Sequence, residues 1–203
     1  MKAPFRAALF VFLVLAAAAH AQGQSRSLFL IARPGLPDPN FRESVVLVIH
    51  SEGTETTGVI INRPMNRSLA DLLPGERFEP FTDPIFFGGP VIPQGLFALF
   101  QSDKYSGPAV PMLPGVFLAV RPDSVDALLS KPPTKIRFFS GYSGWAPGQL
   151  QGELDRGDWL VVDADAKTLF LRDTSRLWED MVRRARAVHA DAAALKLAIS
   201  SSR

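Results

Sequence analysis

The segment Gly141-Tyr142-Ser143-Gly144-Trp145 sets a serine among glycines, as a nucleophile needs when it must stand clear of its own backbone. A hydrolase elbow requires glycine two residues to either side of the serine, and Trp145 occupies the second of those places. A general base for Ser143 would have to be His50, and nothing in the sequence places it nearby. Glycines ahead of a helix can instead present backbone N–H groups to an anion. Neither this segment nor Gly88-Gly89-Pro90 is followed by Lys-Ser or Lys-Thr, and the pattern GxGxxG is absent. Zinc typically takes three or four His, Cys or carboxylate ligands. Beyond residue 21 the chain offers His50 and His189, far apart, and it contains no cysteine. The sequence therefore assigns no catalytic residue, no metal site and no cofactor.

The same stretch, followed to Leu154, has a second explanation as a rigid strand-to-helix corner and, beyond that, a recognition surface. Pro147 suits the first turn of a helix, where its missing N–H costs nothing. Gly148 and Gly152 are four apart and share a face with almost no side-chain bulk, which predicts close packing against another backbone. Leu150 and Leu154 form the adjacent apolar face, and Gln149 and Glu153 a third one that faces solvent or a partner. Trp145 fills the helix entrance and is expected to be buried. Tyr142 and Trp145 carry polar atoms that need hydrogen-bond partners if they are buried.

Around this corner the first half of the chain reads as strands. Leu28–Ala32 is stopped by Arg33-Pro34-Gly35-Leu36-Pro37-Asp38-Pro39, whose prolines end a strand or a helix. Val45–Ile49 is a continuous apolar run, as in a strand covered on both faces, and Ser51-Glu52-Gly53 turns it into Gly58–Asn62 as an antiparallel partner. Arg63-Pro64 ends that strand. A short helix follows over Ser68–Leu73 with Ser68 as N-cap, then strands at Ile85–Phe87, Leu96–Phe100 and Val116–Val120. Pro122 opens a helix to Leu129, Ile136–Phe139 is a strand leading into the glycine segment, and Trp159–Val162 is another. Past Asp173 the pattern turns helical, with Leu177, Met181 and Val182 as an apolar stripe and Ala190–Arg203 as a marginal helix or a frayed end. Early strands punctuated by irregular helices give an α+β class in one domain over residues 22–203.

Residues 1–21 stand outside that domain. Lys2 and Arg6, the apolar run Ala7–Ala19 and Ala19-His20-Ala21 form the pattern of a secretory signal peptide cleaved after Ala21. The run is short for a membrane span, and no other stretch is long enough, so no stable span is expected after cleavage. The whole chain has 22 basic and 20 acidic residues, and Lys2 and Arg6 leave with the signal. A balanced mature charge carries no basic stripe for a phosphate backbone, so no nucleic-acid partner is expected. With 47% hydrophobic residues over 203 positions, the chain can build a core without disulfides. Export puts the mature protein in the periplasm or outside the cell.

The segments FLIARPGLPDPNFRESVVLVI, GVIINRP, FFGGPV and GYSGWAPGQLQGELDRGDWLVV, in this order and spacing, closely resemble the YqgE/AlgH family of bacterial proteins. The resemblance runs from about Leu28 to Trp178. By position, the family's characteristic residues are Pro34, Asp38, Pro39 and Phe41, then Gly58, Asn62 and Pro64. Gly88, Gly89, Pro90 and Val91 follow, then Gly141, Gly144, Trp145, Gly148, Gln149, Leu150 and Glu153. With Tyr142, a subset of these residues supplies the candidate binding or structural motif: Asn62, Gly88, Gly89, Pro90, Gly141, Tyr142, Gly144, Trp145, Gly148, Gln149 and Glu153. The resemblance implies an α+β fold with a bifurcated, mostly antiparallel sheet, part of it closing into a small barrel surrounded by helices. It also implies a transcriptional regulator linked to alginate production, without an established biochemical activity. The export signal and the balanced charge argue against direct regulation of transcription. The expectation is an exported, non-enzymatic protein that binds a protein or small-molecule partner. The alternatives are a hydrolase-like enzyme using Ser143, His50 or Glu153, and a DNA-associated regulator that stays in the cytoplasm.

Overall fold

A computed structural model describes residues 26–50 and 55–201. The segment 1–21, expected to be a signal peptide, with Ala19-His20-Ala21, and the turn Ser51-Glu52-Gly53 lie outside the described residues. In chain order the strands are β1 (Arg26–Ala32), β2 (Val45–His50), β3 (Thr56–Ile60), β4 (Pro64–Ser68), β5 (Pro84–Phe87), β6 (Val91–Gln101), β7 (Val110–Leu113), β8 (Val116–Ala119), β9 (Ile136–Trp145) and β10 (Trp159–Asp163). The helices are α1 (Leu69–Leu72), α2 (Pro122–Ser130), α3 (Gln149–Asp155), α4 (Ala166–Leu169) and α5 (Leu177–Ser201).

The strands form one curled sheet in the order β10-β1-β2-β3-β9-β6-β8-β7, with β4 and β5 branching off it. Neighbours along that path are antiparallel, whereas β5 joins β9 in parallel. The curl brings β1 back towards β7, where the Ser27 hydroxyl donates to the Met112 carbonyl. The expected mixed α+β architecture with a bifurcated, partly barrel-like sheet is what the chain forms.

Strand alternation divides the core. Phe29, Ile31, Val45, Leu47, Phe97, Leu99 and Phe139 point inside the half-barrel, which Leu177, Met181, Val182 and Ala185 of α5 cover. On the outer side, Ala98, Phe100 and Phe138 pack against Val125, Leu128 and Leu129 of α2. Leu30, Val46, Val48 and Ile60 pack against Trp145, Leu150 and Trp159. Val45–Val48 is thus buried on both faces, as its unbroken apolar run predicts.

Several elements depart from the sequence reading. Strand β3 ends before Arg63-Pro64 as expected, but Pro64 also begins a further strand, β4, paired to β5 opposite Phe86. A first strand residue needs no ladder donor, so proline fits there. Pro111 hides β7, which tolerates it as an edge strand at the rim of the sheet, opposite Phe117. The short α4 is started by the Asp165 carboxylate, which accepts from the Thr168 N–H. Ser68 caps α1 as expected, in a reciprocal box with Asp71 that holds the Asp71 carboxyl below the usual carboxylate range. The segment read as a marginal or frayed end continues α5 helically to Ser201.

Candidate functional site

The glycines of the opening segment lie within β9, at the fork of the sheet. Before Gly141, the strand pairs with β5 and β6; after it, Ser143, Gly144 and Trp145 pair with Gly58, Thr57 and Thr56. The Gly88 N–H donates to the Ser140 carbonyl, and the Ile60 N–H donates to the Gly88 carbonyl, so Gly88 stitches both branches. Backbones meet here almost without separation. A Cβ on Gly141 would fall 2.3 Å from the Gly89 carbonyl oxygen, and one on Gly88 would fall 2.3 Å from that of Gly141. Gly141 also has φ +71°, which a side chain resists. Ser143 is fully buried, and its hydroxyl donates to the Gly88 carbonyl at 2.9 Å. It is a bolt across the fork. His50 Nδ1 lies 2.8 Å from the Thr56 hydroxyl, its partner on the neighbouring strand.

Beyond the fork the chain builds an aromatic corner around one carboxylate. Glu153 Oε2 accepts from the indole N–H of Trp145 at 2.8 Å and from that of Trp159 at 2.9 Å. Its other oxygen accepts from Gln149 Nε2 at 3.1 Å, and Gln149 Oε1 accepts from the Ala146 N–H. Phe41 stacks on Trp145 with centroids 5.6 Å apart and meets Trp159 edge-on at 5.5 Å. Trp145 and Trp159 are 3% and 5% exposed.

Three expectations about this corner need correction. Gln149 and Glu153 do not form a free face, because Glu153 ties α3 to two buried indoles. Pro147 precedes the helix rather than occupying its first turn, and Gly148 is the N-cap in a left-handed conformation, φ +79°. Gly148 and Gly152 make no close backbone contact: a Cβ on Gly148 would meet nothing within 4 Å, and one on Gly152 only Arg156 Nη1 at 3.7 Å. Gly148 is required for its dihedral angle, and α3 packs through Leu150, Leu154 and Glu153 instead.

Asn62 belongs elsewhere. Its Oδ1 accepts from the Val45 N–H at 2.8 Å, and its Nδ2 donates to the Glu43 carbonyl at 2.9 Å. Arg63 beside it donates to the carbonyls of Asn40 and Arg42. The two side chains clamp the loop 33–44, in which Glu43 takes φ 55°, a left-handed conformation unusual for a residue with a side chain. The clamp forms the floor of a polar cleft of about 460 Å³. Pro39, Arg42 and Glu43 make one wall, and Thr174, Ser175, Trp178 and Glu179 at the start of α5 make the other. The Trp178 indole fixes that second wall by donating to the Ala32 carbonyl at 2.8 Å. Burial, with help from nearby Arg42, lowers the Arg63 pKa, while Asp38 and Glu43 oppose the shift.

Of the candidate motif residues, only Asn62 lines this cleft, joined by Pro39 from the family's characteristic set. Gly88, Gly89, Pro90, Gly141, Tyr142 and Gly144 belong to the fork, and Trp145, Gly148, Gln149 and Glu153 to the aromatic corner. The meeting of Arg42, Glu43, Arg63, Trp178 and Glu179 leaves almost no mark in the sequence, because their types are common on surfaces and they come from three distant segments. The one available signal was Asn62-Arg63, two polar residues directly after a buried strand. Among the described residues, no group of three or more His, Asp or Glu side chains gathers to hold a metal ion, and no helix is long and apolar enough to cross a membrane.

The family model described as DUF179, AlgH-like, matches residues 29–189. A UPF0301 protein of Myxococcus xanthus is 36% identical over 162 residues, covering 76% of this chain and 87% of the relative. One from Methylococcus capsulatus is 34% identical over 169 residues, covering 77% and 89%. Among solved structures, the solution structure of the AlgH protein from Pseudomonas aeruginosa aligns with a TM-score of 0.64 and 31% identity, over 77% of this chain and 87% of that one. A crystal structure of a Corynebacterium diphtheriae protein, 22% identical with a TM-score of 0.60 over 79% and 86%, shares the fold. The glycine fork, the aromatic corner and the Asn62 clamp are therefore built on a chain that belongs to the AlgH-like DUF179 family of UPF0301 proteins.

Proposed function

We propose that this member of the family is an exported, non-catalytic binding protein, and that it contacts its partner or ligand through the polar cleft above Asn62 and Arg63. The observation that carries this reading is how the polar groups are used. Ser143 and Glu153, the groups best suited to chemistry, are committed to bonds that hold the fork and the aromatic corner together. Arg42, Glu43 and Glu179 line the cleft without an ion pair among the described residues, while some exposed arginines elsewhere pair with aspartates, as in Arg26–Asp163 and Arg77–Asp126. Export is supported by the basic start, the apolar run and Ala19-His20-Ala21.

Two measurements test the two halves of the reading. Intact-mass analysis of protein from its native host should give a mature chain starting just after Ala21. A chain beginning at Met1 and confined to the cytosol would remove the export step and revive a regulator. Hydrogen exchange in the presence of native envelope extract should show protection at 39–43, 62–63 and 174–179. Protection confined to other surfaces defeats the cleft as the contact site. A hydrolytic activity lost in His50→Gln and kept in Arg42→Gln would defeat the non-catalytic assignment.

A further inference from the structure

The cleft carries balanced opposite charge. Its lining includes two arginines, Arg42 from the loop and Arg63 from the floor, and two glutamates, Glu43 and Glu179, one from each wall. Arg63 spends part of its donor fork on the carbonyls of Asn40 and Arg42, which holds its position as well as that of the loop. Asn62 does the same for Glu43, and the indole of Trp178 anchors the helix that carries Glu179. The walls are thus set before anything binds, which lowers the ordering cost of recognition.

That balance discriminates between ligand classes. A phosphate or another multiply charged anion would meet Glu43 and Glu179 as well as the arginines. A free metal cation would meet the two guanidinium groups. A ligand carrying one charge of each sign satisfies both sets, and about 460 Å³ suits a small molecule. The proximity of Arg42, one of the causes that lower the Arg63 pKa, is what an incoming carboxylate would relieve.

Resting on the cleft as the binding site, we propose that it takes a small zwitterion of the amino-acid class, its carboxylate on Arg42 and Arg63 and its ammonium group on Glu43 and Glu179. The test is a nitrogen–proton NMR titration of the full chain with L-alanine, L-glutamine and L-phenylalanine. Each is run beside its N-acetyl derivative, which lacks the ammonium, and its amide, which lacks the carboxylate. At least one free amino acid should shift the backbone amides of Arg42, Glu43, Asn62, Thr174 and Ser175. Its N-acetyl and amide forms should bind at least about tenfold more weakly, because each loses a charge-assisted contact. Arg42→Gln and Glu179→Gln should weaken the free amino acid to a similar degree with unchanged melting temperatures, since both side chains are exposed and lie outside the clamp. Equal binding of the N-acetyl form would overturn the zwitterion in favour of a plain anion. Silence of the cleft amides towards the whole panel would overturn the amino-acid class. Protection of the cleft by envelope extract is scored separately, so the class can fail while the site stands, and the reverse.

Discussion

Phe41 and Arg42 are neighbours in sequence and serve opposite regions of the molecule. Phe41 turns into the aromatic corner, where it stacks on Trp145 and abuts Trp159 over a carboxylate whose two oxygens are both engaged. Arg42 turns to the cleft, where its charge has no ion-pair partner among the described residues. The corner satisfies its polar groups internally, and each well-formed aromatic contact adds about 0.5–1.5 kcal/mol beyond area burial. The cleft is held just as firmly by Asn62, Arg63 and Trp178, but those bonds go to backbone and leave charged side chains over for something else. The lesson is that aromatic and glycine-rich motifs can record what a fold needs in order to close. Sites for partners can be assembled from ordinary residues beside them.

The comparison breaks most visibly if the scaffold side is attacked. Gly141→Val should cause the largest effect, since its Cβ would lie 2.3 Å from a carbonyl at the fork and its φ would be forced positive. A loss above about 4 kcal/mol, or no soluble folded protein, is expected. Circular dichroism and denaturant melts read it, and a variant that melts like the parent would show that the fork tolerates a side chain.

The corner comes next. Trp145→Ala should destabilise by about 3–5 kcal/mol, as removal of a large buried aromatic does. Glu153→Ala should cost about 2–3 kcal/mol, because two buried indole N–H groups lose their acceptor. Urea melts of both variants, with indole fluorescence followed in Glu153→Ala, check the order. A Glu153→Ala protein as stable as the parent would mean that the carboxylate is free for another role, and the contrast with the cleft would dissolve.

The smallest effect belongs to the cleft. Arg42→Gln and Glu179→Gln should each change stability by no more than about 0.5 kcal/mol, the usual range for exposed positions. Their effect should appear in binding alone. If either loses more than about 2 kcal/mol in thermal melts, that charge belongs to the clamp and the cleft is scaffold too.

Much of the corner was legible in sequence. Pro147, Trp145 and the glycines announced a tight turn, and the indoles announced a need for hydrogen-bond partners. The sequence did not identify Glu153 as their common acceptor. Trp159 lies six residues beyond Glu153, past the end of α3 and the turn at Gly157, and helix spacing alone placed Glu153 on an outer face. Gly148 and Gly152 depart from the helical-spacing expectation for a related reason. Helical spacing places residues on a common face but does not say whether a backbone lies opposite, and here the glycine that matters is fixed by φ.

Strand content, most element positions, the buried run Val45–Val48 and the cap at Ser68 follow from local chemistry. Apolar alternation, proline geometry and side-chain capping act over a few residues, so a linear reading captures them. Tertiary structure alone decided three things: that Gly88 and Gly141 cross at a fork, that Glu153 joins two tryptophans, and that Arg42, Arg63 and Glu179 share one cleft. Each depends on contacts between residues far apart in the chain, set by how the sheet curls and where α5 docks. Charged surface residues have no periodic pattern that could record such a meeting, so only the folded chain brings them together.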